Sequence, residues 1–151
     1  IFLTAMVPIG ELRASVPLGI VSLGLPWSTV LMLSIIGNLA PVPFLIWILK
    51  WSGKKIENAH NVVGRLFKWR TTKLDRQYSR AVERYGLWAV IFIVSIPLPF
   101  TGAWTGSLVV WAMNISIKKG LIAIAIGICI AGLIVTALTV AGQSLFSLWG
   151  S

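Results

Sequence analysis

This sequence has very little acid, one histidine and one cysteine. Four Asp and Glu are spread over 151 residues, His60 stands alone in a polar stretch, and Cys129 has no second cysteine. A single cysteine excludes an internal disulfide and a multi-cysteine metal site. A single histidine argues against a histidine-based metal centre or a catalytic triad. HExxH, GxSxG, the P-loop and paired carboxylates are all missing, so no enzyme is expected. Charge as a whole is scarce, at 11%, where soluble domains carry about 25%. Apolar residues take its place, with 57% hydrophobic residues and a mean hydropathy of +0.89. A soluble domain of this size leaves roughly 30% of its unfolded surface exposed and could not hide so much of it. An all-α integral membrane protein is the reading that remains.

The charge that is present is unevenly placed. Residues 50–84 hold ten of the thirteen Lys and Arg and three of the four acids; elsewhere there are only Glu11, Arg13, Lys118 and Lys119. Within the basic block, Ile56, Val63, Leu66 and Phe67, and then Leu74, Tyr78, Ala81, Val82 and Tyr85, recur at helical spacing. Thr72 and Asp75 form a capping-box-like start to the second series. The pattern predicts two amphipathic helices lying on a membrane surface, with Lys54, Lys55, Arg65, Lys68, Arg70, Arg76 and Arg80 toward anionic head groups; a soluble helical hairpin standing off the membrane is the alternative. The positive-inside tendency puts 50–84 in the cytoplasm. Nucleic acid is not an expected partner, because a basic patch argues for it only on a soluble domain.

Three uncharged runs, 14–49, 85–117 and 120–151, carry the membrane signal. One crossing needs about 20 apolar residues. The first run has Pro17, Gly19, Gly24 and Pro26 before a clean stretch over 27–49. The second has Pro97, Pro99, Gly102 and Gly106 at its middle. Proline removes a helical hydrogen bond and clashes with the turn before it, so both runs are expected to be broken. If 85–117 crossed once, Lys118 and Lys119 would emerge outside, against the charge rule; if it dips and returns, they stay cytoplasmic. The same device, inverted, is expected at the N-terminus around Pro8, Gly10, Pro17 and Gly19. The expected organisation is one transmembrane domain: re-entrant hairpin 1–26, transmembrane helix 27–49, basic segment 50–84, re-entrant hairpin 85–117 and transmembrane helix 118–142. Two like units of opposite orientation make an inverted repeat, an architecture many transporters share.

Glu11 and Arg13 sit in VPIGELRASVPLG, at the expected tip of the first hairpin. Each charge costs about 2.5–3.5 kcal/mol at the bilayer centre, which makes the pair a functional candidate. Half-helices starting after Gly10 and near Thr101 would aim their N–H groups at the tips, and Thr101 could cap the second. If the tips meet, two helix N-termini and Arg13 converge, an arrangement that attracts phosphate or carboxylate. Burial disfavours the charged form of a carboxyl group, so Glu11 is a candidate for proton coupling. Gly10, Asn38, Thr101, Gly102, Trp104 and Thr105 are the remaining substrate-binding candidates; Asn38, an amide at the centre of the first expected crossing, before Pro41 and Pro43, is equally a packing residue.

PIGELRASVPLGI, a span containing Gly37–Asn38, and IPLPFTGAWTGSL, in that order, resemble the small multidrug export protein family, a distant branch of the DedA/VTT superfamily. The resemblance covers nearly the whole chain. It implies two re-entrant hairpins, an inverted repeat and a prokaryotic cell membrane. It also implies the movement of lipids, polyprenyl phosphates among them, with Glu11 and Arg13 at the matching hairpin positions. DedA-like proteins commonly carry an arginine in the second hairpin, and PLPFTGAWTG has none. The expected function is transport of an anionic lipid such as a polyprenyl phosphate or a phospholipid, proton-coupled through Glu11. Two alternatives stand beside it: a proton-coupled exporter of small amphipathic cations, and a non-transporting lipid-binding scaffold. Membrane lipids, a proton or other coupling ion and a second copy of the chain are the expected partners; no cofactor or metal is called for.

Overall fold

A computed structural model describes residues 1–6, 10–57, 72, 84–97 and 102–149, and the side chains of these except 52–57 and 146–149. Seven α-helices are described: α1 (Phe2–Met6), α2 (Glu11–Pro17), α3 (Trp27–Leu39), α4 (Val42–Glu57), α5 (Leu87–Ser95), α6 (Ala103–Ala112) and α7 (Ile117–Trp149), with no strand among the described residues.

Two rods are long and apolar enough to cross a membrane, Trp27–Trp51 and Ile117–Leu145. The first is α3 and α4 taken together. The expected unbroken helix over 27–49 is instead interrupted at Ala40–Pro41 and runs on to Glu57. Pro41 and Pro43 supply no N–H to the turn before them, which is why the helix pauses there. The Pro41 carbonyl then starts the next stretch by accepting from Leu45 N–H at 2.8 Å. Lys54 and Lys55 therefore lie on the helical continuation of the crossing rod, past its apolar part, which ends at Trp51. The second rod also outruns its expected end at 142, continuing to Trp149.

The remaining helices are short. α5 has nine residues and α6 ten, so each spans about 15 Å, half of a bilayer's hydrocarbon thickness of about 30 Å. Gly86, with φ 57°, starts α5, and Asn114, with φ 52°, ends α6 in the left-handed conformation that commonly closes a helix. Pro17 and Gly19 do not break the first segment as the sequence predicts. Pro17 lies inside α2, and the chain continues as a π-helical turn over Leu18–Ser22. The wider turn moves the bonding to i→i+5, with Leu23 N–H donating to Leu18 O at 3.0 Å, and so absorbs the donor that proline lacks. Among the described residues the helical path is interrupted instead at 23–26.

The helices pack in a repeating manner. α1 lies against α3, and α5 against α7; α2 reaches across to α7, and α6 across to α4. α2 also packs on α3, and α6 on α7, so each of these short helices lies against both rods. α5 approaches α7 closely at Gly127, where a Cβ would meet Val94 Cβ at 2.6 Å. The core is aliphatic, built around Val16, Val30, Ile46, Val94, Val110, Ile124 and Ile128. Large apolar side chains also cover the outside: Met32, Phe44, Trp47, Trp51, Trp88, Phe92, Ile122, Leu133 and Leu138 are all more than half exposed. A contiguous apolar exterior of this extent is that of a protein solvated by lipid.

Candidate functional site

The two short segments meet. α2 begins at Glu11, directly after Gly10, and α6 begins at Ala103, directly after Gly102. Glu11 has φ 44°, in the left-handed region that a side chain of its size rarely adopts. On a regular helix, Glu11 and Arg13 would point about 200° apart. The left-handed Glu11 instead brings its carboxylate within 3.9 Å of the Arg13 guanidinium.

The Glu11 carboxylate lies against the start of α6. Gly102 has φ 123° and ψ −160°, and a Cβ there would collide with Glu11 Oε2. The backbone N–H of Trp104 donates to the same carboxylate. No side chain within α6's own segment caps its N-terminus. Glu11 therefore supplies, from the other tip, the anion that the N-terminal N–H groups of a helix attract. While Glu11 is ionised, the protein's own carboxylate holds the position to which this helix start would draw a ligand anion. Thr101, expected as the cap, lies outside the described residues, as do Pro8 and Pro99.

Trp104 makes a second link. Its indole Nε1–H donates to Met6 O, the end of α1, at 3.2 Å. Gly10 packs over α1, since a Cβ there would meet Thr4 O at 2.6 Å. Trp104 thus links α6 to both α1 and α2.

Asn38 joins from α3. It is 2% exposed, and its Oδ1 has no hydrogen-bond partner. Together with Glu11, Arg13, Pro97, Gly102 and Ala131, it lines a cavity of about 10 Å³, close to the minimum for one water. Asn38 is one residue from the centre of the Trp27–Trp51 rod, and Ala131 is the centre of Ile117–Leu145. The site is therefore at mid-depth of both rods.

Of the candidates from the sequence, Glu11, Arg13, Asn38 and Gly102 share this cavity, and Gly10 and Trp104 flank it. Thr105, the third residue of α6, is buried but does not line the cavity. The side chains of Lys54 and Lys55, and all of Arg65, Lys68, Arg70, Arg76 and Arg80, lie outside the described residues. The sequence reading missed a buried hydroxyl pair, Ser15 Oγ–H donating to Ser34 Oγ at 2.8 Å, which ties α2 to α3. Serines at i and i+19 carry no signal of their pairing. It also missed Thr136, buried on α7 with an unpartnered hydroxyl.

A family model described as "Putative small multi-drug export protein" matches residues 11–134. No curated protein and no solved structure matches the chain.

Proposed function

The chain belongs to the small multi-drug export protein family, whose name is that of a membrane transporter rather than an enzyme, and we propose that it moves an anionic lipid together with a proton carried by Glu11. Such a lipid would be a polyprenyl phosphate or a phospholipid, as the resemblance to the DedA/VTT superfamily implies. The observation that carries the reading is the carboxylate of Glu11 seated at the start of α6. A position built to hold one anion can hold another. When Glu11 takes up a proton, its hold on the Trp104 N–H weakens, because a hydrogen bond to an ionised acceptor is about twice as strong as a neutral one. The α6 N–H groups and the Arg13 guanidinium are then offered to a phosphate, which arginine can grip through two parallel bonds. Loss of the proton returns Glu11 to its seat and expels the anion.

The topology proposed with it is two re-entrant hairpins, 1–26 and 85–117, in an inverted repeat within a prokaryotic cell membrane, with residues 50–84 cytoplasmic. Three facts support it. α5 and α6 are each too short to cross. Lys50 Nζ donates to Ile115 O at 2.9 Å, so the end of the first rod and the start of the second lie at one end of the molecule. α2 and α6 also pack alike, each against both rods.

A second reading is export of amphipathic cations with Glu11 as counter-ion. The unpartnered Asn38 Oδ1 favours it, because it adds an acceptor beside the carboxylate. Glu11→Gln separates the two. Binding of a short-chain alkyl phosphate and of an alkylammonium to the purified protein is measured for parent and variant. The anion reading expects alkyl phosphate binding to tighten and lose its pH dependence, with alkylammonium indifferent. Loss of alkylammonium binding, with alkyl phosphate unchanged, overturns it in favour of the cation reading.

A further inference from the structure

Away from the tips, the two long rods leave an apolar groove. Ile36, Leu39 and Pro43 face Leu121, Ile122 and Ala125 of α7 across about 540 Å³. The groove shares no lining residue with the Glu11 cavity. On α7, Lys118, Leu121, Ile122 and Ala125 follow the i, i+3, i+4, i+7 spacing of one helix face. On α4, Pro43, Trp47 and Lys50 follow i, i+4, i+7. Both walls therefore run out to an exposed lysine, and both lysines lie at the same end, since Lys50 Nζ is bonded to Ile115 O, two residues before α7 begins.

We infer that this groove is a binding site for one anionic glycerophospholipid from the leaflet on the Lys50 side. One acyl chain lies along the groove, and the phosphate rests at its rim by Lys118 and Lys50. Charge complementarity selects this occupant. A lining of hydrocarbon takes hydrocarbon, and two ammonium groups at one mouth, of which Lys50 has given one of its three donors to Ile115 O, supply the partners of a phosphate. A zwitterionic lipid brings its own cation to the same rim and gains less. The inference does not rest on the transport reading.

The test uses the whole chain in detergent, titrated with dioleoylphosphatidylglycerol or dioleoylphosphatidylcholine, with retained lipid counted by native mass spectrometry. Phosphatidylglycerol is expected to be retained over phosphatidylcholine. Lys118→Gln is expected to weaken phosphatidylglycerol about fivefold, the equivalent of about 1 kcal/mol for one lysine near a charged lipid surface, without changing phosphatidylcholine. Lys119→Gln, one residue round the helix and off the groove face, is the control and is expected to do less. Ala125→Trp fills the groove and is expected to reduce retention of both lipids. Equal retention of the two lipids by the parent, or equal loss from Lys118→Gln and Lys119→Gln, overturns the proposal. A lipid-free dimer that Ala125→Trp dissociates also overturns it, by placing a second copy on this face. Should Ala125→Trp fail to fold, the comparison of the two surface lysines still decides.

Discussion

Replacing Gly102 by alanine tests the site at its tightest point. Two separable effects are expected. The backbone, at φ 123° and ψ −160°, lies in a region that is essentially reserved for glycine, and forcing a Cβ into it costs about 1–3 kcal/mol. The new methyl group also occupies space held by the Glu11 carboxylate. Displacing Glu11 removes a hydrogen bond to an ionised group, worth about 1.5–3 kcal/mol. The sum, roughly 2.5–6 kcal/mol, is a large share of the stability of an ordinary domain. Gly24→Ala separates the effects. Gly24 also has a positive φ, 62°, but nothing stands within 4 Å of the added Cβ, so only a left-handed penalty of about 1–2 kcal/mol is expected. The decisive measurement is a double-mutant cycle with Glu11→Ala, followed by unfolding in detergent monitored by circular dichroism. Without the carboxylate, Gly102→Ala should cost only its backbone share, leaving a coupling of about 1.5–3 kcal/mol. A coupling within about 0.5 kcal/mol of zero, the additivity of independent sites, would refute the seating of Glu11 on α6.

Trp104→Phe keeps the ring but removes the donor to Met6 O, and is expected to lower the unfolding midpoint by the equivalent of about 1 kcal/mol; an unchanged midpoint would sever the proposed link between the tips. Ser15→Ala and Ser34→Ala should each destabilise by about 1–2 kcal/mol, by leaving a buried hydroxyl without its partner, while the double variant should cost less than their sum; strict additivity would deny the pair. Single cysteines at positions 118 and 60, in a Cys129→Ser background, should react with a membrane-impermeant maleimide from the same side of the membrane. Labelling of position 118 from the opposite side would turn the proposed second hairpin into a crossing.

What the sequence disclosed about the site, and what it concealed, divide along physical lines. Glu11 and Arg13 stand out because ionised groups are costly in hydrocarbon and therefore rare there, so two in an uncharged stretch are conspicuous. The start of α6 is visible because PLPFTG gathers two prolines and a glycine, residues whose backbone limits are intrinsic. Pro17 misleads for the same reason: its missing N–H forbids a regular helix, but a π-helical turn satisfies it locally, and no residue code announces that option. The Ala40–Pro41 interruption was written in the prolines themselves, yet the strong hydropathy of 27–49 masked it. The seating of Glu11 on α6 was out of reach. It joins residues more than ninety positions apart and depends on a left-handed backbone at a glutamate, which composition disfavours and only the assembled tips can impose.

The packing gives Trp104 a place in the proposed cycle. α2 and α6 each rest on both rods, so opening the site in that cycle slides one segment past the other. Two hydrogen bonds span that sliding surface, from the Trp104 N–H to Glu11 and from the Trp104 indole to Met6 O, and both belong to one residue. They respond differently to a proton. The bond to Glu11 loses its charge assistance when the acid is neutralised, whereas the bond to the Met6 carbonyl has no charge to lose. In the proposed cycle, protonation therefore loosens the contact at the site while the indole keeps the tips in register. A phosphate arriving between them would meet a cleft that is open at Glu11 and Arg13 but still hinged at Trp104.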